Sequence, residues 1–266
     1  SRGLLPNDET QLGIRAMKAD AEDMLFDNVM LLASSALRGC IVTPRGRTLV
    51  VADLSNIEGR VLAWLAGEEW LLQAFRDFYA GIGPDIYKLA YAHAFGMWPE
   101  DVTKDQRQRG KVMTLACGYQ GSLGAFITFA AAYDIDLDDM ADKALPTLPL
   151  DAIEHAESLL SWFKEKRIPV PHLRHQTLVA ILCMVYGWRF AHQKVCALWK
   201  GLENTAVKAV QNPDRTFEFG RFKLRRSGAW LRILLPSGRS LCYPHPQVDS
   251  DGKLSYNGLC QFTRQW

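Results

Sequence analysis

Two groups of residues have types and spacings suited to chemistry. The first is Asp53, which follows the apolar run Thr48-Leu49-Val50-Val51-Ala52 and precedes Ser55-Asn56-Ile57-Glu58. A carboxylate at the end of a buried strand is held by a rigid element yet faces a cleft, which suits a Mg²⁺ ligand, with the carbonyl of Leu54 as a second oxygen. The other reading is a loop acid ahead of a helix that Ser55 and Glu58 cap. The second group is Arg107, Lys111, Leu115 and Tyr119, each four residues from the next. On a helix they form one slowly drifting stripe about 18 Å long. Its cations lie toward the N-terminal end, where the helix dipole also favours anions. A ligand with a polyphosphate head and a flat base would fit it, phosphates on Arg107 and Lys111 and base against Leu115 and Tyr119. An amphipathic helix with two surface cations reads the same way. Gly118, Gly121 and Gly124 follow, but no Gly-Lys-Ser/Thr makes them a phosphate loop.

The elements that must position these residues can be read locally. Thr48–Ala52 reads as a buried strand, and Ile57, Val61, Trp64 and Leu65 share one face of the helix after it. Thr103-Lys104-Asp105-Gln106 is a capping-box signature, so the stripe belongs to a helix over about 103–120. Residues 1–37 read as helical, with Met24, Leu25, Val29, Leu32 and Leu37 as candidate core contacts. From 68 to 215 the pattern is mainly helical. From 216 it changes to strands, Thr216–Phe219 and Trp230–Leu234, with turns at Ser227-Gly228 and Ser237-Gly238 and a further hairpin tip at Asp249–Gly252.

The chain has 266 residues with 31 Lys and Arg against 29 Asp and Glu, a formal charge of +2 that excludes a histone-like protein binding by bulk charge. A local basic surface remains open. Between 215 and 232 lie six cations (Arg215, Arg221, Lys223, Arg225, Arg226 and Arg232) and one acid, Glu218, or +5 locally. Phe217, Phe219, Phe222 and Trp230 interleave them, so charges could face phosphates while aromatics pack inward, or simply form a solvated strand face. The six cysteines include no C-x-x-C pair. His172, His175, Cys183 and His192 match no common zinc spacing and read as core and surface residues. No apolar run reaches the roughly 18 residues that span a bilayer.

Taken together, the two groups resemble a known family. Asp53-Leu54-Ser55-Asn56-Ile57-Glu58-Gly59-Arg60 is similar to the first signature of family A DNA polymerases, D-Y-S-Q-I-E-x-R. Arg107-x3-Lys111-x3-Leu115-x2-Gly118-Tyr119 is similar to the second, on the fingers helix. Gly83-Pro84-Asp85-Ile86-Tyr87, Phe95-Gly96 and Val102-Thr103 follow the family pattern between them, in order. Leu115 and Gly118-Tyr119-Gln120-Gly121 look like the bacteriophage branch. The resemblance is good over 36–126, thin from 127 to 215, where Leu198–Glu203 is the best point, and moderate after that.

The resemblance implies an α+β chain: mainly helical fingers with part of an antiparallel-sheet palm, an incomplete right-hand polymerase fold. It implies palm with the strand–helix over 1–66, fingers over 67–215, and a β-rich return toward the palm over 216–266. The implied activity is DNA-directed DNA synthesis on a primer-template from deoxynucleoside triphosphates by a two-metal mechanism, as a monomer in the host-cell cytoplasm and without a membrane partner. Asp53 would bind both Mg²⁺ ions, helped by the Leu54 carbonyl. Glu58 would crowd a ribose 2′-OH. Arg107 and Lys111 would hold the triphosphate, Lys111 also protonating the pyrophosphate. Leu115 would stack on sugar and base, Tyr119 would pack near the template base, and Tyr87 would stand where relatives carry a phosphate-contacting His. Arg38 and Arg60 match arginines near the primer-template, joined by Arg225 and Arg226 of the basic segment.

The sequence also departs from the pattern. Asn56 replaces Gln, Leu54 replaces Tyr and Gly59 replaces an apolar residue. The family's third signature, His-Asp-Glu, occurs nowhere in the 266 residues. Asp249 and Asp251 near His245 read as a solvated hairpin tip instead. With no initiator Met, no thumb and Trp266 as the last residue, the chain reads as a fragment of a polymerase, inactive alone. The alternative is a catalytically silent module that binds nucleotide or primer-template.

Overall fold

The computed structural model of the protein describes residues 4–52, 54 and 56–258, with Arg38 described by its backbone alone. The chain forms two compact units, 1–55 and 56–266.

The first unit holds α1 (Asn7–Met17), α2 (Glu22–Leu25) and α3 (Val29–Ala36), then a 3₁₀ turn at Leu37–Cys40. Asn28 caps α3 by accepting from the Leu31 N–H at 2.9 Å. Of the five expected core contacts only Leu32 is fully buried, laid against Gly13 of α1, where any Cβ would collide with it. Val29 is half-buried, and Met24, Leu25 and Leu37 are exposed. The left-handed turn at Asp20 (φ 49°) and the break before Asn28 re-phase the apolar stripe that one continuous helix would have kept together. The expected strand at Thr48–Ala52 is also absent. The run is irregular, and Val50 and Val51 are about nine-tenths exposed. None of the described strands pairs with it, and an apolar β-branched run without a ladder partner has nothing to fix it as a strand.

The second unit begins with α4 (Ile57–Ala66), α5 (Glu69–Tyr79), α6 (Ile86–Phe95) and α7 (Lys104–Cys117). It continues through α8 (Leu123–Ala132), α9 (Leu137–Ala144), α10 (Leu150–Glu165), α11 (His175–Ala191) and α12 (Gln193–Gln211). Ser55, the expected cap of α4, lies outside the described residues. Asn56 stands at its N-terminus in the left-handed region (φ 51°) and makes no side-chain cap. The cap of α7 is as expected: the Thr103 hydroxyl accepts from the Gln106 N–H, and the Gln106 side chain accepts from the Thr103 N–H at 2.9 Å. Thr103→Ala removes one half of that exchange and is expected to cost about 1 kcal/mol in a urea melt. The helix ends at Cys117, not at 120, so Tyr119 stands in the turn beyond it.

Helix α11 is the axis of the core. It packs on α6, α7, α9 and α10, and Ile181, Leu182 and Met184 are buried with Val112, Met113 and Phe126. A buried staple then joins the start of this unit to its far end. Glu68, 5% exposed, accepts from the backbone N–H groups of Lys194 (3.0 Å) and Val195 (3.3 Å) at the N-terminus of α12. The Trp70 indole N–H donates to the Ala191 carbonyl at 3.1 Å, and the Lys194 ammonium to the Gly67 carbonyl at 3.0 Å.

After α12 come β1 (Thr216–Phe219), β2 (Phe222–Ser227), β3 (Trp230–Leu234) and β4 (Ser240–Pro244), an antiparallel meander in that order. The expected glycine turns join them, with Gly228 at φ 56° and Gly238 at φ 82°. Phe222, Leu224 and Leu231 face α12, where they bury Leu198 and Ala209. β5 (Gln247–Val248) and β6 (Leu254–Ser255) form the second hairpin. Asp249 is its tip, its carboxylate accepting from the N–H groups of Asp251 and Lys253. The α+β class that the resemblance implies is the class observed.

Candidate nucleotide-binding site

Helix α7 carries Arg107, Lys111 and Leu115 of the stripe, with Tyr119 in the turn beyond it, and α6 supplies a shelf beneath it. Asp85 caps α6 by accepting from the N–H groups of Tyr87 (3.0 Å) and Lys88 (3.2 Å). Its second oxygen takes the Arg107 guanidinium at 2.8 Å. Burial alone would raise the Asp85 carboxyl, but Arg107 and the two N–H groups outweigh it and hold it below its ordinary range. Tyr87, one residue into the helix, lies 5.4 Å from the Arg107 guanidinium and 5.8 Å from the Lys111 ammonium, measured to the ring centre. Burial, then the neighbouring Tyr133, raises the Tyr87 phenol, so it stays a neutral donor. Tyr133, just past α8, lies 4.4 Å under the Lys111 ammonium. The structure brings Tyr87, Arg107 and Lys111, all named from the sequence, to one place. The sequence reading missed Asp85 and Tyr133. Asp85 was visible as an acid before an apolar helical run, but its ion pair crosses 22 residues; Tyr133 gave no local signal.

Gly110 makes this shelf possible. A Cβ there would strike the Tyr87 carbonyl and crowd the Tyr91 Cβ, so α6 and α7 touch at backbone distance. Gly110→Ala is expected to destabilise the chain by about 2 kcal/mol, read as a lower urea midpoint, because the helices must part.

Past Lys111 the stripe enters a cavity of about 670 Å³. Leu115 and Tyr119 line it from the α7 end, Glu58 and Gly59 from α4, and Trp188 and Trp199 from the floor. The floor is an aromatic stack. Trp188 lies 4.0 Å from the His192 ring at 11° and 6.0 Å from Trp199 at 17°. His192 is 2% exposed, and its Nδ1–H donates to the Trp188 carbonyl at 2.8 Å. Burial pushes its pKa down to about 4. This floor was not foreseen, since Trp188 and Trp199 are far from both signatures in the chain. The arrangement can hold a polyanion on fixed cations and a flat apolar group in the adjoining cavity.

The remaining expected residues divide. Asp53 lies outside the described residues; the Arg38 side chain is likewise not described. Leu54, in the first unit, is exposed. Arg60 lies between the rings of Phe75 (4.2 Å) and Tyr79 (4.3 Å). Arg225 faces solvent and approaches Asp214 at 3.4 Å. Arg226 points the other way and donates to the Val210 carbonyl at 3.1 Å, at the end of α12. Strand alternation explains this, since 222, 224 and 226 share the inner face. The histidine and cysteine set is dispersed: His175 pairs with Glu157 at the surface (2.8 Å), and Cys183 is buried and raised to about 12.

Residues 29–127 match the family model described as DNA polymerase family A. The DNA polymerase of Bacillus phage SP02 is 31% identical over 243 residues, 90% of this chain and 30% of that protein. DNA polymerase I of Pseudomonas aeruginosa is 37% identical over 83 residues, 31% of this chain and 8% of the relative. The thermostable DNA polymerase I of Thermus thermophilus is 36% identical over 83 residues, 31% of this chain and 9% of the relative. The chain therefore spans less than a third of the length of these relatives. No solved structure matches it significantly.

Proposed function

Because the chain belongs to the family A DNA polymerases, on the phage side, we propose that it supplies the nucleotide grip of a DNA-directed DNA polymerase. One observation carries this reading. Arg107 and Lys111 stand on a shelf of Asp85, Tyr87 and Tyr133, and the same helix runs on into the cavity bounded by Glu58 and Leu115. In this reading the triphosphate of a deoxynucleotide lies on the two cations, with the Tyr87 hydroxyl as a further donor. The sugar and base lie over Leu115. Glu58 at the rim crowds a ribose 2′-OH, and Tyr119 meets the template base. Lys111 gives a proton to the pyrophosphate as it leaves. Each interaction is set before the reaction begins, so charge developing on the phosphates is met without reorganisation. Residues 1–66 then belong to the palm, 67–215 to the fingers, and 216–266 return toward the palm of a right-hand fold. The complete enzyme acts on primer-template DNA as a monomer in the host-cell cytoplasm, with Arg38, Arg60 and Arg225 near the DNA. Among the described residues no helix is long and apolar enough to cross a membrane.

Family A polymerases use Mg²⁺, which would activate the primer 3′-OH and steady the leaving pyrophosphate. The donors of this chain do not complete such a site. Two adjacent Mg²⁺ ions need more than one carboxylate, and Asp53 with the Leu54 carbonyl offers one. Among the described residues no three His, Cys, Asp or Glu side chains gather as a metal site. The 266 residues also contain no His-Asp-Glu. That favours a chain that binds nucleotide without extending a primer on its own, whether as part of a polymerase or as a silent binding module. Mg²⁺-dependent extension by the purified chain would overturn this inactivity. In the full-length parent, Asp53→Ala is expected to abolish extension; undiminished extension would remove Asp53 from the metal site.

A further inference from the structure

The +5 segment is divided by the sheet into two faces, and only the outer one is open. Arg226 is spent on the Val210 carbonyl at the inner face. On the outer face Arg225 of β2 stands directly opposite Arg232 of β3. Like charges directly opposite across antiparallel strands repel. Lys223 lies two residues along β2 on the same face, and Trp230 two residues along β3, 42% exposed. The acids that meet this face are Glu218, paired with Lys223 at 2.8 Å, and Asp214, 3.4 Å from Arg225. Among the described residues the Arg232 side chain makes no ion pair or hydrogen bond. A cross-strand pair of guanidiniums with one unmatched charge and an exposed indole beside it is a surface that an anion would relieve.

We infer that the outer face of the β1–β4 sheet, centred on Arg225 and Arg232 with Trp230 beside them, binds the phosphodiester backbone of single-stranded DNA. Two features select the ligand. Guanidiniums pair bidentately with phosphates. The exposed indole stacks on an unpaired base, which a closed duplex does not offer. That the polymer is DNA rests on the polymerase reading; the cation pair and the indole do not.

The test is fluorescence anisotropy of a labelled oligothymidylate titrated with the 266-residue chain across a series of NaCl concentrations. Arg225→Ala with Arg232→Ala is expected to weaken binding about tenfold at low salt. It should also flatten the plot of log K against log salt by about 1.4, since each phosphate contact on a single strand contributes about 0.7. Trp230→Ala is expected to weaken binding about fivefold or more at an unchanged slope. Lys164→Ala with Lys166→Ala removes the same charge from the C-terminal end of α10 and should change nothing. Circular dichroism melts confirm that each variant is folded. An unchanged slope in the arginine variant overturns the inference, as does an equal loss in the lysine variant. Equal binding of a closed hairpin duplex, with no effect of Trp230→Ala, overturns the single-strand assignment. The polymerase reading fails on another ligand: deoxynucleoside triphosphate that does not bind, or that Lys111→Ala leaves bound, counts against the nucleotide grip alone.

Discussion

Alanine at position 111 is expected to weaken deoxynucleoside triphosphate binding by the 266-residue chain about 50-fold, read by isothermal titration. That corresponds to about 2–3 kcal/mol, the range for a hydrogen bond to a charged group. The size follows from what surrounds Lys111. Its ammonium lies over Tyr133 at 4.4 Å and near Tyr87 at 5.8 Å, so its position is fixed by rings that do not neutralise it. Among the described residues no carboxylate pairs with it. Arg107 differs, because Asp85 already holds its guanidinium at 2.8 Å. Arg107→Ala should therefore cost less than Lys111→Ala, and Asp85→Asn should leave Arg107 mispositioned, not absent. Lys111→Arg keeps the charge but not the compact ammonium and should recover part of the affinity. Equal affinity for wild type and Lys111→Ala, with both folded, would exclude the triphosphate from this helix.

Acid should destabilise the chain between pH 6.5 and about 4, and His192 should account for much of it. Burial against Trp188 pushes the folded-state pKa from 6.5 down to about 4. Above pH 6.5 the imidazole is neutral in both folded and unfolded chains, and stability is full. Between 6.5 and 4 the unfolded chain binds the proton and the folded chain does not, so stability falls as the pH falls. At pH 4.5 the loss is about 2–3 kcal/mol. His93, near His192 and also lowered by burial, adds in the same direction, while Glu68 opposes its shift. Asp85 acts in a lower window: its folded pKa lies below 3.8, so its contribution is lost only as the pH drops past that value. Urea midpoints at pH 7.5 and 4.5 separate the two. His192→Gln should lose stability at both pH values for lost packing, yet show a smaller difference between them than wild type. An equal difference would place the acid sensitivity elsewhere.

What could be read in advance was what a short stretch decides for itself. The cap of α7 and the alignment of Arg107, Lys111 and Leu115 depend on neighbours within four residues. So do the glycine turns of the sheet. What could not be read depends on distant partners. The strand at Thr48–Ala52 needed a ladder that no described strand provides. Asp85 acquires its second role from a residue 22 positions away. The cavity floor exists only because α11 and α12 stack Trp188 and Trp199 behind α7. Arg226 was within reach: its alternation with Phe222 and Leu224 already puts it on the inner face once the strand is placed. Charge along the segment groups Arg225 with Arg226, whereas the strand faces separate them and set Arg225 opposite Arg232.

The staple at Glu68 has a consequence for how the protein is made. The carboxylate and the helix end that it caps are 126 residues apart in the chain. A ribosome adding about 5–20 residues per second needs roughly 6–25 s to cover that distance. Through that interval α4 and α5 have been synthesised while the N–H groups that satisfy Glu68, and the carbonyl that receives Trp70, have not. The nascent chain therefore carries a solvated acid beside an exposed indole until α12 emerges, and that window is when a holding chaperone would have most to bind.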